Sequence, residues 1–287
     1  MKKIAVISIK GGFGNQLFQV VFVNHLKKLG FKVSIDTSFF KLNENHLKQN
    51  NITKRSLILP LSAFNFRETN NLNIRLIKFL FNLLKRFNLK FNNRIVANKF
   101  TGHSFDINKT GFINIFDGYW KNPEILESNL TFLVENLSKN KNFSRQFNNI
   151  PNKNTLLVHV RRTDFIENGW DLSEDYYSKS INFIFEKKGK QKIDVFTDDE
   201  SWVKDSTFYK TFEINNIYKE NKEESPFEDF IKMLNYENFI IGNSTFAFFP
   251  AYLKAKENSI VIVPDPWFKN GSHPNIAKSE WIKIKNI

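Results

Sequence analysis

Cysteine is absent from the 287 residues, which excludes a disulfide scaffold, a thiolate zinc site and a cysteine nucleophile. The chain also lacks any Asp-x-Asp, so a metal-bridged diphosphate site has no obvious ligands. Its histidines (25, 46, 103, 159 and 273) are too scattered for a zinc site, and no metal is expected. No apolar run reaches the roughly 18–20 residues of a membrane span. Met1-Lys2-Lys3 followed by apolar residues 4–9 imitates a signal peptide, but Lys10 and Gly11-Gly12 cut the run short of an h-region. Internal repeats and low-complexity linkers are missing as well. The expected location is the cytoplasm, either free or peripheral on the inner face of the plasma membrane.

What is present is apolar material and positive charge. Hydrophobic residues make up 41% of the chain and aromatics 15%, with 32 Phe, so wholesale disorder is excluded. The length suits two domains of roughly 120–150 residues. The formal charge of +13 is unevenly placed: residues 1–150 hold 23 Lys/Arg against 8 Asp/Glu, and residues 151–287 hold 19 against 21. Such an excess invites a nucleic-acid reading, but no RNA- or DNA-binding motif accompanies it, so no nucleic-acid partner is expected. Enrichment in Asn, Lys, Ile and Phe fits an AT-rich coding sequence, which removes part of the meaning of the charge.

Periodicity gives an α/β chain. The first half reads as a strand (4–9), a glycine turn (10–14), a helix (15–29) and a strand (32–35). Residues 71–92 form the strongest amphipathic segment. Leu72, Leu76, Phe79, Leu80, Leu83, Leu84 and Phe87 make one stripe, decorated by Arg75, Lys78, Lys85, Arg86 and Lys90. The commoner outcome for such a stripe is packing on its own domain; the other is contact with an anionic membrane surface. The second half alternates strands at 155–160, 192–196, 211–217, 238–241 and 259–263 with helices at 173–188, 225–236 and 244–254. That alternation implies a parallel sheet. With a boundary near residues 148–154, the chain is expected to form two Rossmann-like domains facing a central cleft, 1–150 and 151–287. The last stretch, from about residue 268, is a candidate to cross back onto the first domain.

The unusual residues cluster at the carboxyl ends of these strands, where ligands sit in such sheets. Gly11-Gly12-Phe13-Gly14-Asn15-Gln16 lies between a strand and a helix, where backbone N–H groups can approach an anion. It lacks the third glycine of a dinucleotide fingerprint and the Gly-Lys-Ser/Thr of an NTPase loop. His159-Val160-Arg161-Arg162-Thr163-Asp164 ends a buried strand with a guanidinium that can fork onto phosphate oxygens. Asp164 is placed to act either as a base or as a partner for an arginine. Asp198 and Asp199 end another apolar strand, where one carboxylate could accept from guanine or else cap the next helix. Asn243-Ser244-Thr245-Phe246 opens a helix whose positive end can hold a diphosphate.

In this order and spacing the segments resemble the α-1,2-fucosyltransferases of glycosyltransferase family 11. The resemblance rests on Gly11–Gln19, His159–Asp164, Phe196–Asp199, Asn243 through Leu253, and the Pro264-Asp265-Pro266-Trp267-Phe268 ending. It implies a GT-B-like fold with an acceptor-side first domain and a donor-binding second domain. The reaction implied is an inverting, metal-free transfer of L-fucose from GDP-β-L-fucose to O2 of a terminal β-galactoside, on an oligosaccharide or a lipid-linked glycan. Residue by residue, Arg161 would hold the departing phosphate with Ser244 and Thr245. Arg162, Asn243 and Phe246 belong to the same donor segments. His159 and one of Asp198 and Asp199 would contact guanine or ribose, and Gly12, Gly14, Asn15 and Gln16 would lie near the sugar and diphosphate. The base would be Asp164 or Glu167, unless no side chain takes the proton. Two departures from the family pattern, Thr163 in place of Gly and Phe248-Phe249 in place of Trp-Trp, would bear on acceptor choice. Another GDP-sugar, linkage or acceptor remains the alternative.

Overall fold

The computed structural model describes residues 2–49, 52–87, 90–91, 94–219, 225–268 and 276–286. It divides into two compact units, Met1–Lys139 and Asn140–Ile287. Each is an α/β unit built on a parallel sheet.

The first unit contains β1 (Ile4–Ser8), α1 (Phe13–Lys28), β2 (Lys32–Asp36), α2 (Asn71–Arg86), β3 (Ala97–Gly102) and β4 (Ile113–Gly118). The strands run parallel in the order β2-β1-β4-β3. Ala5, Val6 and Ile7 are fully buried, as a central parallel strand covered on both faces requires. Helix α1 is buried almost all round, through Leu17, Phe18, Val20, Val21, Phe22 and Val23. Strands β3 and β4 have no counterpart among the expected elements, because polar residues interrupt both. In β4 the interruption is Asn114, whose buried amide donates to the Ile4 and Gly111 carbonyls at 3.1 and 2.9 Å. It joins strand to strand instead of ending one.

Helix α2 docks on this sheet through the face opposite to the expected one. Ile74 and Phe81, helped by Ile77 and Leu84, pack on Val6, Ala97, Ile113 and Ile115. The stripe of Leu72, Leu76, Phe79, Leu80, Leu83 and Phe87 points to solvent; only Leu84 of the expected set faces inward. The helix ends at Arg86, and residues 88, 89 and 92 of the expected segment lie outside the described residues, as does His273. Lys78 reaches from α2 to the buried carboxylate of Asp36 at 2.6 Å.

The second unit contains α3 (Lys141–Asn148), β5 (Asn152–Val160), α4 (Thr163–Glu167), α5 (Glu174–Lys188), β6 (Lys192–Thr197), α6 (Glu200–Asp205), β7 (Ile214–Lys219), α7 (Pro226–Met233), β8 (Tyr236–Ile240), α8 (Thr245–Lys254), β9 (Val261–Asp265) and β10 (Ile282–Lys285). All six strands are parallel, in the order β10-β9-β8-β5-β6-β7. Counted from β5 this is 3-2-1-4-5-6 reversed, the doubly wound Rossmann order, with its switch point between β5 and β8.

Three boundaries differ from expectation. The units divide at Lys139 because α3 belongs to the second: Phe143 stacks near Phe227 and Phe230. The buried Lys254 ammonium donates to the Phe147 and Asn149 carbonyls at 2.7 and 2.9 Å, closing the C-terminal end of α3. Residues 207–211 are helical, capped by Ser206, so the strand starts later, at Ile214. The chain's last described residues stay in the second unit: β10 pairs with β9, and Trp281 packs on Phe248.

Burial works to raise the Asp36 pKa, but Lys78 and the Ser38 N–H hold it below the usual carboxylate value. A depressed carboxylate stabilises the fold above its unfolded pKa, and that contribution is lost as pH falls through the folded value. Lys78→Met should therefore lower stability at pH 7 by about 1–3 kcal/mol. The deficit against wild type should narrow as pH falls toward 4, where protonation removes the unpaired charge. Urea unfolding across that pH range checks both parts.

Candidate active site

The switch point of the second sheet and the strand beside it gather three of the segments singled out in that half: His159–Asp164, Asp198-Asp199 and Asn243–Thr245. Register sets His159 beside Phe196 and Val160 beside Thr197, and Ile240 beside Val158. The residues that follow, Arg161-Arg162, Asp198-Asp199 and Gly242 to Thr245, therefore leave three neighbouring strands side by side. The Tyr176 hydroxyl donates to the Ile241 carbonyl at 2.7 Å and fixes the end of β8. Gly242 follows β8 beside the end of β5: a Cβ there would meet the His159 carbonyl oxygen at 3.4 Å and its Nδ1 at 3.7 Å, ordinary contact distances.

Asp198 organises the turn after β5. Its Oδ1 accepts from the Arg162 N–H at 2.8 Å. Its Oδ2 accepts from the Thr163 N–H at 3.2 Å and the Thr163 hydroxyl at 2.5 Å, and lies 3.1 Å from Arg161 Nε. Both oxygens are thus engaged within the turn, and Asp198 is a brace for the arginines before it can be a nucleotide contact. The Thr163 hydroxyl makes the shortest of these bonds. Asp199 caps α6 by accepting from the Trp202 N–H at 3.1 Å and sits 3.6 Å from Arg162 Nε.

Arg161 donates twice to Asp164 Oδ1, from Nε at 3.0 Å and Nη2 at 2.7 Å. Arg162 lies 4.1 Å over the Trp202 ring and 3.4 Å from Asp171. Asp171 and Trp202 were not singled out in the sequence: they carry no local signal, being brought in by loop and helix packing. Glu167 is exposed at the last position of α4, one turn beyond Asp164.

Ser244 caps α8 by accepting from the Phe246 N–H at 3.3 Å, and Thr245 is buried behind it. Asn243 donates to the Trp170 carbonyl at 2.6 Å. Trp170 meets Phe268 and Phe165 edge-on at 5.0 and 5.7 Å, which ties the Pro264–Phe268 segment to the arginine turn. Phe248 and Phe249 are core residues; Phe248 packs on Phe249, Tyr252 and Trp281. Among the described residues, the buried polar atoms without a hydrogen-bond partner include His159 Nδ1, Arg162 Nε and Asn243 Oδ1. Three such atoms at one switch point are what a polar ligand would satisfy. Burial, reinforced by Arg161 and opposed by Asp198, pushes the His159 pKa down to about 4.

The first unit has its own turn at the β1/β4 switch point. Gly11 adopts φ +79°, and a Cβ there would lie 2.9 Å from Asn15 Nδ2 and 3.1 Å from the Tyr119 ring. Gly12 caps α1, Gly14 is buried within it, and Asn15 is half-buried beside the turn. Gln16 is buried and fully used inside the unit: it donates to the Gly11 and Ser56 carbonyls and accepts from the Ile58 and Leu59 N–H groups. Its role is to clamp the glycine turn, and no polar atom is left to reach a sugar or diphosphate. Lys121, not singled out in the sequence, is 6% exposed. Its ammonium lies 5.4 Å over the Tyr119 ring, and burial pushes its pKa down to about 8.

Two Rossmann-like units, one with paired arginines and a capped helix start at its switch point, make a GT-B-like α/β chain. The family model for Glycosyl transferase family 11 matches residues 4–285, and the chain belongs to that family. It is a glycosyltransferase, taking a nucleotide-sugar donor and a glycan acceptor. It is similar to the O-antigen biosynthesis glycosyltransferase WbnK of Escherichia coli, 34% identical over 141 residues, 46% of this chain and 45% of that protein. That match therefore spans about half of either chain. It is also similar to an alpha-1,2-colitosyltransferase of Escherichia coli, 25% identical over 98% of this chain and 99% of that protein. Among solved structures, POFUT1 in complex with GDP aligns with a TM-score of 0.44 at 9% identity, over 91% of this chain and 98% of that one; that likeness is too slight to argue from.

A histidine whose folded pKa lies below its unfolded value loses stability as pH falls from about 6.5 toward 4. His159 should contribute up to roughly 3 kcal/mol to this acid sensitivity. In His159→Gln the slope of unfolding free energy over that range should flatten; an unchanged slope would remove His159 from this role.

Proposed function

We propose that the chain transfers L-fucose from GDP-β-L-fucose to O2 of a terminal β-galactoside, with inversion and without a metal, in building a surface glycan. The single observation that carries this reading is the arginine turn at the Rossmann switch point, in a member of family 11. Support for the α-1,2 linkage comes from the full-length similarity to a colitosyltransferase of that linkage, and for a surface glycan from the similarity to WbnK.

In the proposed reaction the bond between fucose C1 and the β-phosphate oxygen breaks, and its electron pair leaves with GDP. The galactoside O2 forms the new bond from the opposite face and gives up its proton. Negative charge develops on the leaving diphosphate. Arg161, pre-set by Asp164 and Asp198, and the N-terminal end of α8 with its Ser244 cap supply fixed positive potential there. His159, neutral at pH 7, and Asn243 offer the unpartnered atoms for the nucleotide. Asp164 is engaged by Arg161, so its first role is to hold that guanidinium. Glu167, or loss of the proton directly to water, takes the place of the base.

Arg161→Lys keeps the charge but loses the fork, and should lower kcat about 10²- to 10³-fold with the fold intact. The measurement is GDP release with a β-galactoside acceptor, and near-wild-type turnover would remove Arg161 from its role. EDTA should leave wild-type turnover unchanged; dependence on added Mn²⁺ would refute the metal-free mechanism. The full-length relative favours a second reading, in which the donor sugar is colitose, which lacks one ring hydroxyl of fucose. Comparing kcat/KM for the two GDP-sugars decides between them, since a site that hydrogen-bonds a hydroxyl discriminates strongly against its absence.

A further inference from the structure

We propose that the outward face of α2 docks on an anionic lipid bilayer. Leu72, Leu76, Phe79, Leu80, Leu83 and Phe87 are between 39% and 73% exposed. Their spacing of three and four residues lines them along one side of a helix roughly 24 Å long. That side lies opposite Ile74 and Phe81, which hold the helix to its sheet. The apolar face is therefore additional to the one that folds the protein, and a row of large side chains of this length marks a contact surface.

Charge selects the occupant. From Asn71 to Arg86 the helix contains no Asp or Glu, and Arg75, Lys85 and Arg86 are exposed. Arg75 and Arg86 stand on one flank between the inward and outward faces, where a long side chain can reach lipid phosphates while its stem lies on the apolar surface. Residues 1–139 carry 21 Lys/Arg against 8 Asp/Glu, whereas residues 140–287 carry 21 of each. The positive field thus belongs to the unit that bears the exposed stripe. A second copy of the chain would bring like charges together on this face; an anionic membrane brings opposite ones. The inference is independent of the donor and acceptor proposed above.

The test is co-sedimentation of the whole protein with vesicles of phosphatidylcholine alone or mixed equally with phosphatidylglycerol. Binding is expected to the mixed vesicles, weakening as salt is raised. Leu76→Ser/Phe79→Ser/Leu83→Ser and, separately, Arg75→Glu/Arg86→Glu should each reduce it about tenfold or more. All five side chains are exposed, so both variants should keep wild-type circular dichroism; if the triple variant does not, the charge-reversed pair decides alone. Lys78 is left intact because it neutralises Asp36. Absence of wild-type binding to the mixed vesicles, or wild-type binding by the charge-reversed variant, overturns the proposal. A dimer in analytical ultracentrifugation that the same substitutions dissociate, without vesicle binding, overturns it in favour of self-association.

Discussion

Two adjacent arginines that follow the buried end of β5 need counter-charge, and Asp198 is the carboxylate that supplies part of it from the neighbouring strand. It joins the N–H groups of Arg162 and Thr163, the Thr163 hydroxyl and the Arg161 guanidinium through one pair of oxygens. Because Asp198 ends β6 while the arginines end β5, the same contact fixes the relation between two strand ends. Asp164, Asp171 and Asp199 complete the ring. A guanidinium held this way is oriented before any ligand arrives, and a charge that need not reorganise is the one that stabilises a leaving group most effectively. The cost is local: four carboxylates surround two guanidiniums, so bulk positive charge does not draw a diphosphate to this turn. Placed donors and the α8 terminus have to do so.

Much of this was legible in the sequence, for identifiable reasons. Strands β1, β5, β6 and β9 each contain a largely apolar run buried on both faces, and charged residues lie at or just after their ends. A Rossmann order then brings those ends together without further information. The strands that went unrecognised are those whose composition answers to something other than burial. Asn114 interrupts β4 because its amide stitches β4 to the β1 carbonyl of Ile4, and Lys99 is exposed on edge strand β3. The site was legible in its membership and less so in its division of labour. Gln16 and Asp198 are polar residues in the right segments, yet hydrogen bonds within the fold use up the Gln16 amide and engage both oxygens of Asp198. A sequence shows that an amide or carboxylate is present, and only the packed structure shows whether its lone pairs are already taken.

Helix α2 makes the same point in reverse. Its stripe was the strongest periodic signal in the first half, and the usual inference is that the strongest stripe faces the core. Here a smaller set, Ile74, Ile77, Phe81 and Leu84, does the folding. The hydrophobic pattern of a helix with two apolar faces cannot say which one is inside; the sheet it meets decides, through the fit of side chains on Val6, Ala97, Ile113 and Ile115.

The placement of charge follows from these two sites. The second unit has balanced formal charge and handles its arginines with paired carboxylates, so each is directional and short in range. The first unit carries unbalanced charge with few carboxylates to localise it, and beyond a Debye length such a field fades at physiological salt. Diffuse charge of that kind suits a surface that is itself extended and diffuse, whereas a single diphosphate needs groups fixed at hydrogen-bond distance. The two halves thus solve different electrostatic problems, and the formal charge of the whole chain describes neither.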